Sequence, residues 1–175
     1  VLTEAFEEAY QLLRGSAFPA LALGYRAEPW LNEPQTQAEV EESYRKRYNE
    51  GRVRDRHAGH TQEGPHRHDL CIVAGDRPAR EVLSSGQVKV VAAALRLATV
   101  IHVERERGEP LPVMVDDVDA ELDREVFARL TRVLSSERQL FLTSAHPELV
   151  APAFPEAPVL TMERGSCRPR AAGEE

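Results

Sequence analysis

Apolar positions in the first third of the chain fall twice at helical spacing. In "TEAFEEAYQLLRG" Phe6, Tyr10 and Leu13 recur every three or four residues and Gly15 stops the run, which predicts a short amphipathic helix. "FPALALGYRAEPWL" reads as extended, broken by Pro29 and then Pro34. "TQAEVEESYRKRYNEG" opens on a capping box, Thr36 with Glu39, and carries an apolar stripe of Val40, Tyr44 and Tyr48. It is expected to close at Gly51, with residues 51 to 67, rich in Gly, His and Arg, forming a loop.

Beyond that loop the pattern alternates between short apolar runs and helices. "DLCIVAGDRPARE" predicts a β-hairpin turning at Gly75-Asp76. From Ser85 to about Arg107 the helical pattern is at its strongest, with Val88, Val91, Ala92, Leu95, Ala98 and Thr99 on one face and Gly108 and Pro110 ending it. A strand (Val113 to Val115), a helix (Arg124 to Ser135) and a strand (Gln139 to Thr143) follow, then a last extended run, Pro158 to Met162, and a polar tail after Gly165. Strand, helix, strand with short connections implies a βαβ unit with a parallel sheet, hence an α/β fold. No internal repeat is present.

Composition adds limits. With 42% hydrophobic and 29% charged residues, the 175-residue chain has the make-up of a water-exposed globular domain, and no uninterrupted apolar run approaches the ~20 residues of a membrane span. The start, "VLTEAFEEAY", lacks the basic-then-apolar layout of a signal peptide, and the two cysteines, Cys71 and Cys167, form no paired motif, so a reducing, cytoplasmic setting is expected. The net charge of −7 argues against a surface coated for nucleic acid. Locally the sign reverses: "RKRYNEGRVRDR" holds six cations, Arg45, Lys46, Arg47, Arg52, Arg54 and Arg56, either a solvated helix face or a patch for phosphates. His57, His60, His66 and His68 crowd one region, but their spacing matches no standard zinc site.

Two stretches carry candidate chemistry. "VMVDD" ends an apolar strand in Asp116 and Asp117, and in a parallel sheet ligands gather at the carboxyl ends of strands. One carboxylate there suits a hydrated Mg²⁺ and its neighbour an attacking water; capping of the following turn is the plainer alternative. "LSSGQ" sets Ser84, Ser85, Gly86 and Gln87 at the start of the strongest helix, where backbone N–H groups favour a phosphate and a simple N-cap is the plainer role.

The order "GPHRHDL", "LSSGQ", "VMVDDVDAELD" resembles the RecF family of bacterial recombination and replication-repair proteins, whose ABC-type ATPase heads are related to SMC heads. The family typically reads Gly-Pro-His-Arg-Asp-Asp-Leu where this chain has His68. The resemblance is good over about residues 36 to 145 and weak over the first 35. It implies a partial ABC-ATPase (P-loop NTPase-like) lobe with parallel strands and flanking helices, plus a helical remnant at the N-terminus. Residues 1–56 would be a helical arm, 57–165 the C-terminal lobe and 166–175 a polar tail. By the same resemblance Ser84, Ser85, Gly86 and Gln87 form the signature loop, Asp116 is the Walker B acid holding Mg²⁺ through water, and Asp117 is the catalytic carboxylate. Asp123 would be the D-loop acid at a dimer seam, and His146 lies near the position of a switch histidine that touches the γ-phosphate.

The family's properties implied for the whole protein are ATP-driven homodimerisation, DNA at junctions of single and double strands, and recruitment of the mediator RecR. No Gly-Lys-Ser/Thr segment accompanies Lys46 or Lys89, the only lysines, so this chain holds no Walker A loop. It is therefore expected to be the C-terminal half of such a protein, with weak nucleotide affinity and an apolar sheet edge left bare. A non-enzymatic DNA-binding or assembly fragment is the second reading, and an ABC transporter nucleotide domain the third.

Overall fold

A computed structural model describes residues 2–16, 18–31, 35–118, 124–134 and 138–169. The chain divides into two compact units, one of residues 1–18 and 83–175, the other of residues 19–82. The sequence alone places a boundary at 56/57. The first helix, α1 (Leu2–Leu13), instead joins the later unit because its apolar stripe lies against α4 (Ser85–Arg107) and α5 (Arg124–Leu134).

That stripe buries Ala5, Phe6, Ala9, Tyr10 and Leu13. On α4 the buried residues are Val90, Val91, Ala94, Leu97, Ala98 and Ile101. Only Val91 and Ala98 belong to the face expected from the sequence; Val88, Ala92 and Thr99 are exposed. The helix is apolar on several sides, so its partners, and not its own periodicity, select the face that is covered. By length and composition α4 could cross a membrane; here α1 packs against it, and α1 also packs against α5, in a unit whose buried residues include Val118, Val126, Phe127, Leu130 and Leu134.

Within the same unit β4 (Val113–Val115) pairs in parallel with β5 (Leu140–Leu142), joined through α5, so the βαβ unit forms as expected. Met114 and Phe141 are register partners on one face and stand 81% and 51% exposed. A bidentate ion pair anchors the start of β5: Arg138 donates to both Glu104 oxygens at 2.7 and 2.6 Å, and this hydrogen bonding holds the Glu104 carboxyl below its usual range against the opposing effect of burial. After α6 (Pro147–Val150), β6 (Leu160–Glu163) turns at Arg164-Gly165 and pairs with β7 (Ser166–Pro169). Both turn residues have positive φ, 47° and 81°, the geometry of a two-residue hairpin. The segment expected as tail thus begins with a strand.

The second unit pairs β1 (Ala22–Arg26) with β2 (Asp69–Ala74), and β2 with β3 (Arg77–Pro78), all antiparallel. The hairpin turns at Gly75, with φ of 60°, as expected, and β3 runs into a single helical turn, α3 (Ala79–Val82). Helix α2 (Gln37–Ala58) starts at the Thr36–Glu39 capping box but does not stop at Gly51. Gly51 is a buried interior residue, where a Cβ would sit 3.2 Å from the Arg54 guanidinium. The actual stop is Gly59 in the left-handed region, φ 75°. Helix formers follow Gly51, and one interior glycine costs only about 1 kcal/mol. The segment expected as loop is therefore largely helix, ending in a 3₁₀ turn at Pro65–Arg67.

Candidate functional site

The carboxyl ends of β4 and β5 lie side by side, and three residues meet there. Val115 is in register with Leu142, which sets Asp116 opposite Thr143. The Thr143 hydroxyl donates to Asp116 Oδ1 and accepts the Asp117 N–H at 2.9 Å. Thr143 N donates to Val115 O at 3.0 Å, and Val118 N to Thr143 O at 3.2 Å. Asp117 takes a left-handed backbone, φ 45°, uncommon for a residue with a Cβ. Both aspartates are exposed while the next residue, Val118, is buried. The turn is thus pinned on its inner side and open on its outer side. With Oδ1 engaged, Asp116 offers one free oxygen, a donor set that fits a hydrated Mg²⁺ completed by phosphate oxygens.

The amino end of α4 is the second element. Ser84 is its N-cap: the hydroxyl accepts from Gln87 N at 3.3 Å, and the Gln87 side-chain oxygen accepts from Ser84 N at 2.9 Å. The Gln87 carbonyl oxygen is therefore committed to the capping box. Val88 N bonds Ser84 O, so of the first four helical N–H groups only those of Ser85 and Gly86 lack a partner within the helix. Ser84, Ser85 and Gly86 are exposed, and a Cβ added at Gly86 would meet nothing within 4 Å. The chain's own packing does not require that glycine, whereas close approach of another molecule would. No hydrogen bond or ion pair among the described residues joins this helix tip to the aspartate turn.

The remaining expected site residues belong to other elements. Asp123 lies outside the described residues. His146 precedes α6; its N–H bonds the Ser144 hydroxyl at 2.9 Å and its ring stands 3.3 Å from Glu148, both side chains being exposed. On α2 most of the basic run is already paired: Arg45 with Glu42, Lys46 with Glu50, and Arg47 and Arg54 with Glu63. Arg47 also stacks over Trp30, 4.5 Å from the ring centre. Arg52 and Arg56 have no ion pair among the described residues and stand one turn apart on the exposed side.

His68 has a role invisible in the sequence. Its side chain, 6% exposed, is bonded through Nε2 to Glu28 and through Nδ1 to the Tyr25 hydroxyl, with the Tyr44 hydroxyl 3.0 Å from Nε2. Glu28 also accepts the N–H of Gly64 at 3.0 Å. Burial works against the charged Glu28, but the Gly64 and His68 hydrogen bonds prevail and hold its carboxyl below the usual value. Burial, followed by the nearby Glu28 charge, pushes the Tyr44 phenol up to about 12. Gly64, at φ 139° and with Tyr48 Oη 2.8 Å from where a Cβ would be, admits no other residue without rearrangement. His66 and Arg67 bond the carbonyls of Thr61 and Gln62. The "GPHRH" stretch is thus a knot tied by a distant glutamate, and the four histidines do not converge.

Sequence reasoning missed Thr143, although a hydroxyl directly after an apolar strand, parallel to a strand ending in acids, was a usable signal. For Glu28, Tyr25 and Tyr44 nothing in local sequence pointed to His68.

A parallel strand pair ending in two acids and a capped, glycine-bearing helix tip belong to one α/β unit, a fold of the P-loop NTPase type. The fold aligns with the recombination mediator RecF of the RecFOR pathway in its RecF-ATPrS and RecF-ATP forms, at TM-scores of 0.70 and 0.69, each 21% identical and covering 96% of this chain and 44% of the solved one. A structure from work on ATP-driven dimerisation of SMC ATPases aligns at 0.52, with 15% identity over 98% of this chain and 83% of that one. The DNA replication and repair protein RecF of Anaeromyxobacter dehalogenans is 32% identical over 87% of this chain and 41% of its own length; that of Stenotrophomonas maltophilia is 43% identical over 53% and 26%. No family model matches. The chain belongs to the RecF family, and spans about two fifths of the length of relatives such as the first of these.

Proposed function

We propose that this chain is the signature and Walker B portion, the C-terminal half, of a RecF-like ATPase that dimerises on gapped DNA during recombinational repair. The observation that carries the reading is the pinned, outward-open Asp116-Asp117 turn at the ends of two parallel strands. In this reading Asp116 holds Mg²⁺ through water and Asp117 positions the attacking water. Ser84, Ser85, Gly86 and Gln87 close over the triphosphate bound by a second subunit, with Ser85 and Gly86 supplying the free N–H groups. Asp123 lies at the seam, and His146 stands near the γ-phosphate. Hydrolysis times release from DNA, and RecR is recruited meanwhile, in the cytoplasm. The test is Asp117→Asn in the intact protein that contains this sequence: ATP turnover is expected to fall by at least about a hundredfold while ATP-dependent dimerisation persists. Turnover at the unaltered rate rejects the reading.

The unpaired Arg52 and Arg56 favour a second reading, in which the chain binds DNA without hydrolysing anything, using Arg45, Lys46, Arg47, Arg52, Arg54 and Arg56. Affinity that falls steeply with salt and ignores nucleotide supports it; ATP-dependent affinity rules it out.

A further inference from the structure

We propose that Thr143 is the positioning residue of the twin-acid turn, setting both the Asp116 carboxylate and the Asp117 backbone for the cation and water assigned to them above; the inference rests on that assignment. A threonine hydroxyl has one proton to give and two lone pairs to accept with. Here the proton goes to Asp116 Oδ1 and a lone pair takes the Asp117 N–H at 2.9 Å. The two acids are therefore coupled through a single oxygen. Thr143 N and O meanwhile hold Val115 and Val118 at 3.0 and 3.2 Å, so one residue of β5's end brackets the whole turn.

Two consequences follow from the geometry. Asp117 stands at φ 45°, a conformation that costs a residue with a Cβ about 1 kcal/mol or more, and its N–H bond to Thr143 is an interaction that compensates. Asp116 is exposed, and with Oδ1 engaged by Thr143 its Oδ2 has no hydrogen-bond partner among the described residues. A cation held by Asp116 would therefore be coupled, through the Thr143 hydroxyl, to the backbone of Asp117. Thr143 touches neither metal nor substrate; it works through the two acids.

The test compares Thr143→Val, which keeps the shape and the backbone bonds but loses the hydroxyl, with Thr143→Ser, which keeps the hydroxyl. The probe is Mn²⁺ alone, followed by its electron paramagnetic resonance signal, alongside hydrogen exchange at the Asp117 amide. In Thr143→Val, Mn²⁺ binding is expected to weaken about tenfold, as for other groups that orient a metal ligand, and Asp117 exchange to quicken about tenfold. Thr143→Ser restores both, which a loss of general packing would not allow. Asp117 exchange in Thr143→Val equal to that of the unaltered chain overturns the proposal. If the unaltered chain leaves Mn²⁺ free while Asp117 protection still depends on the hydroxyl, the cation assignment of Asp116 fails and Thr143 stands as the holder of the turn.

Discussion

Two helices of nearly equal length, α2 with 22 residues and α4 with 23, begin and end alike. Each opens on a complete capping box, Thr36 with Glu39 and Ser84 with Gln87, and each ends on a left-handed glycine, Gly59 and Gly108. Their surroundings differ completely. Helix α4 buries six aliphatic residues and packs against α1, whereas α2 buries only Gly51. What holds α2 is polar and aromatic: Tyr44 beside Glu28, His68 and Trp30, and Arg47 and Arg54 on Glu63. Equal local signals thus serve unequal tertiary roles, one helix as a wall of the core, the other as a largely solvated rod.

The largest effect that would sharpen this contrast comes from the apolar side. Phe6→Ala is expected to cost its unit about 3–5 kcal/mol in urea unfolding, since Phe6 is fully buried in the α1 stripe. Val53→Ala on α2, at 71% exposure, should stay within about 0.5 kcal/mol. Comparable losses from the two substitutions would break the distinction.

A smaller but more telling effect lies in pH. The Glu28 carboxyl is held below its usual 4.5, so its contribution is complete above that pH and drains away as pH falls through the depressed value. At the alkaline end the unfolded Tyr44 ionises from about 10 while the folded phenol holds its proton to about 12, so stability falls across that window too. Glu28→Gln should cost about 1.5–3 kcal/mol at neutral pH, read from hydrogen exchange at α2 amides, and flatten the acid slope. An acid profile identical to the unaltered chain's would show that Glu28 does not anchor this unit.

The smallest effect tests the likeness itself. Thr36→Ala and Ser84→Ala should each cost about 1 kcal/mol, because each removes one helix-start acceptor. A loss well beyond that at Ser84 would mean that the α4 tip does more than cap.

Local chemistry alone made much of this protein legible. The apolar stripe of α1, the Thr36–Glu39 capping box, the N-cap at the start of α4, the Gly75 hairpin and the β4–α5–β5 unit follow from periodicity, capping chemistry and which residues tolerate left-handed backbone. That Gln87 closes a second box with Ser84 is the structure's addition. The place of Asp116 and Asp117 at the end of a parallel strand was legible too, because an apolar run that stops at acids marks where the strand leaves the sheet. Other features depended on distant partners. Gly51 is ambiguous by itself, since an interior glycine and a terminating one differ only in backbone angle. The buried face of α4 was chosen by α1, which covers one of several apolar sides. His68 looked like a loss in a family motif until Glu28, forty positions earlier, supplied a carboxylate beside it. Periodicity and capping act within a turn or two of the chain, and so they are written in the sequence. Pairings such as Thr143 with Asp116 and Glu28 with His68 span tens of residues, and only the folded chain brings their atoms within bonding distance.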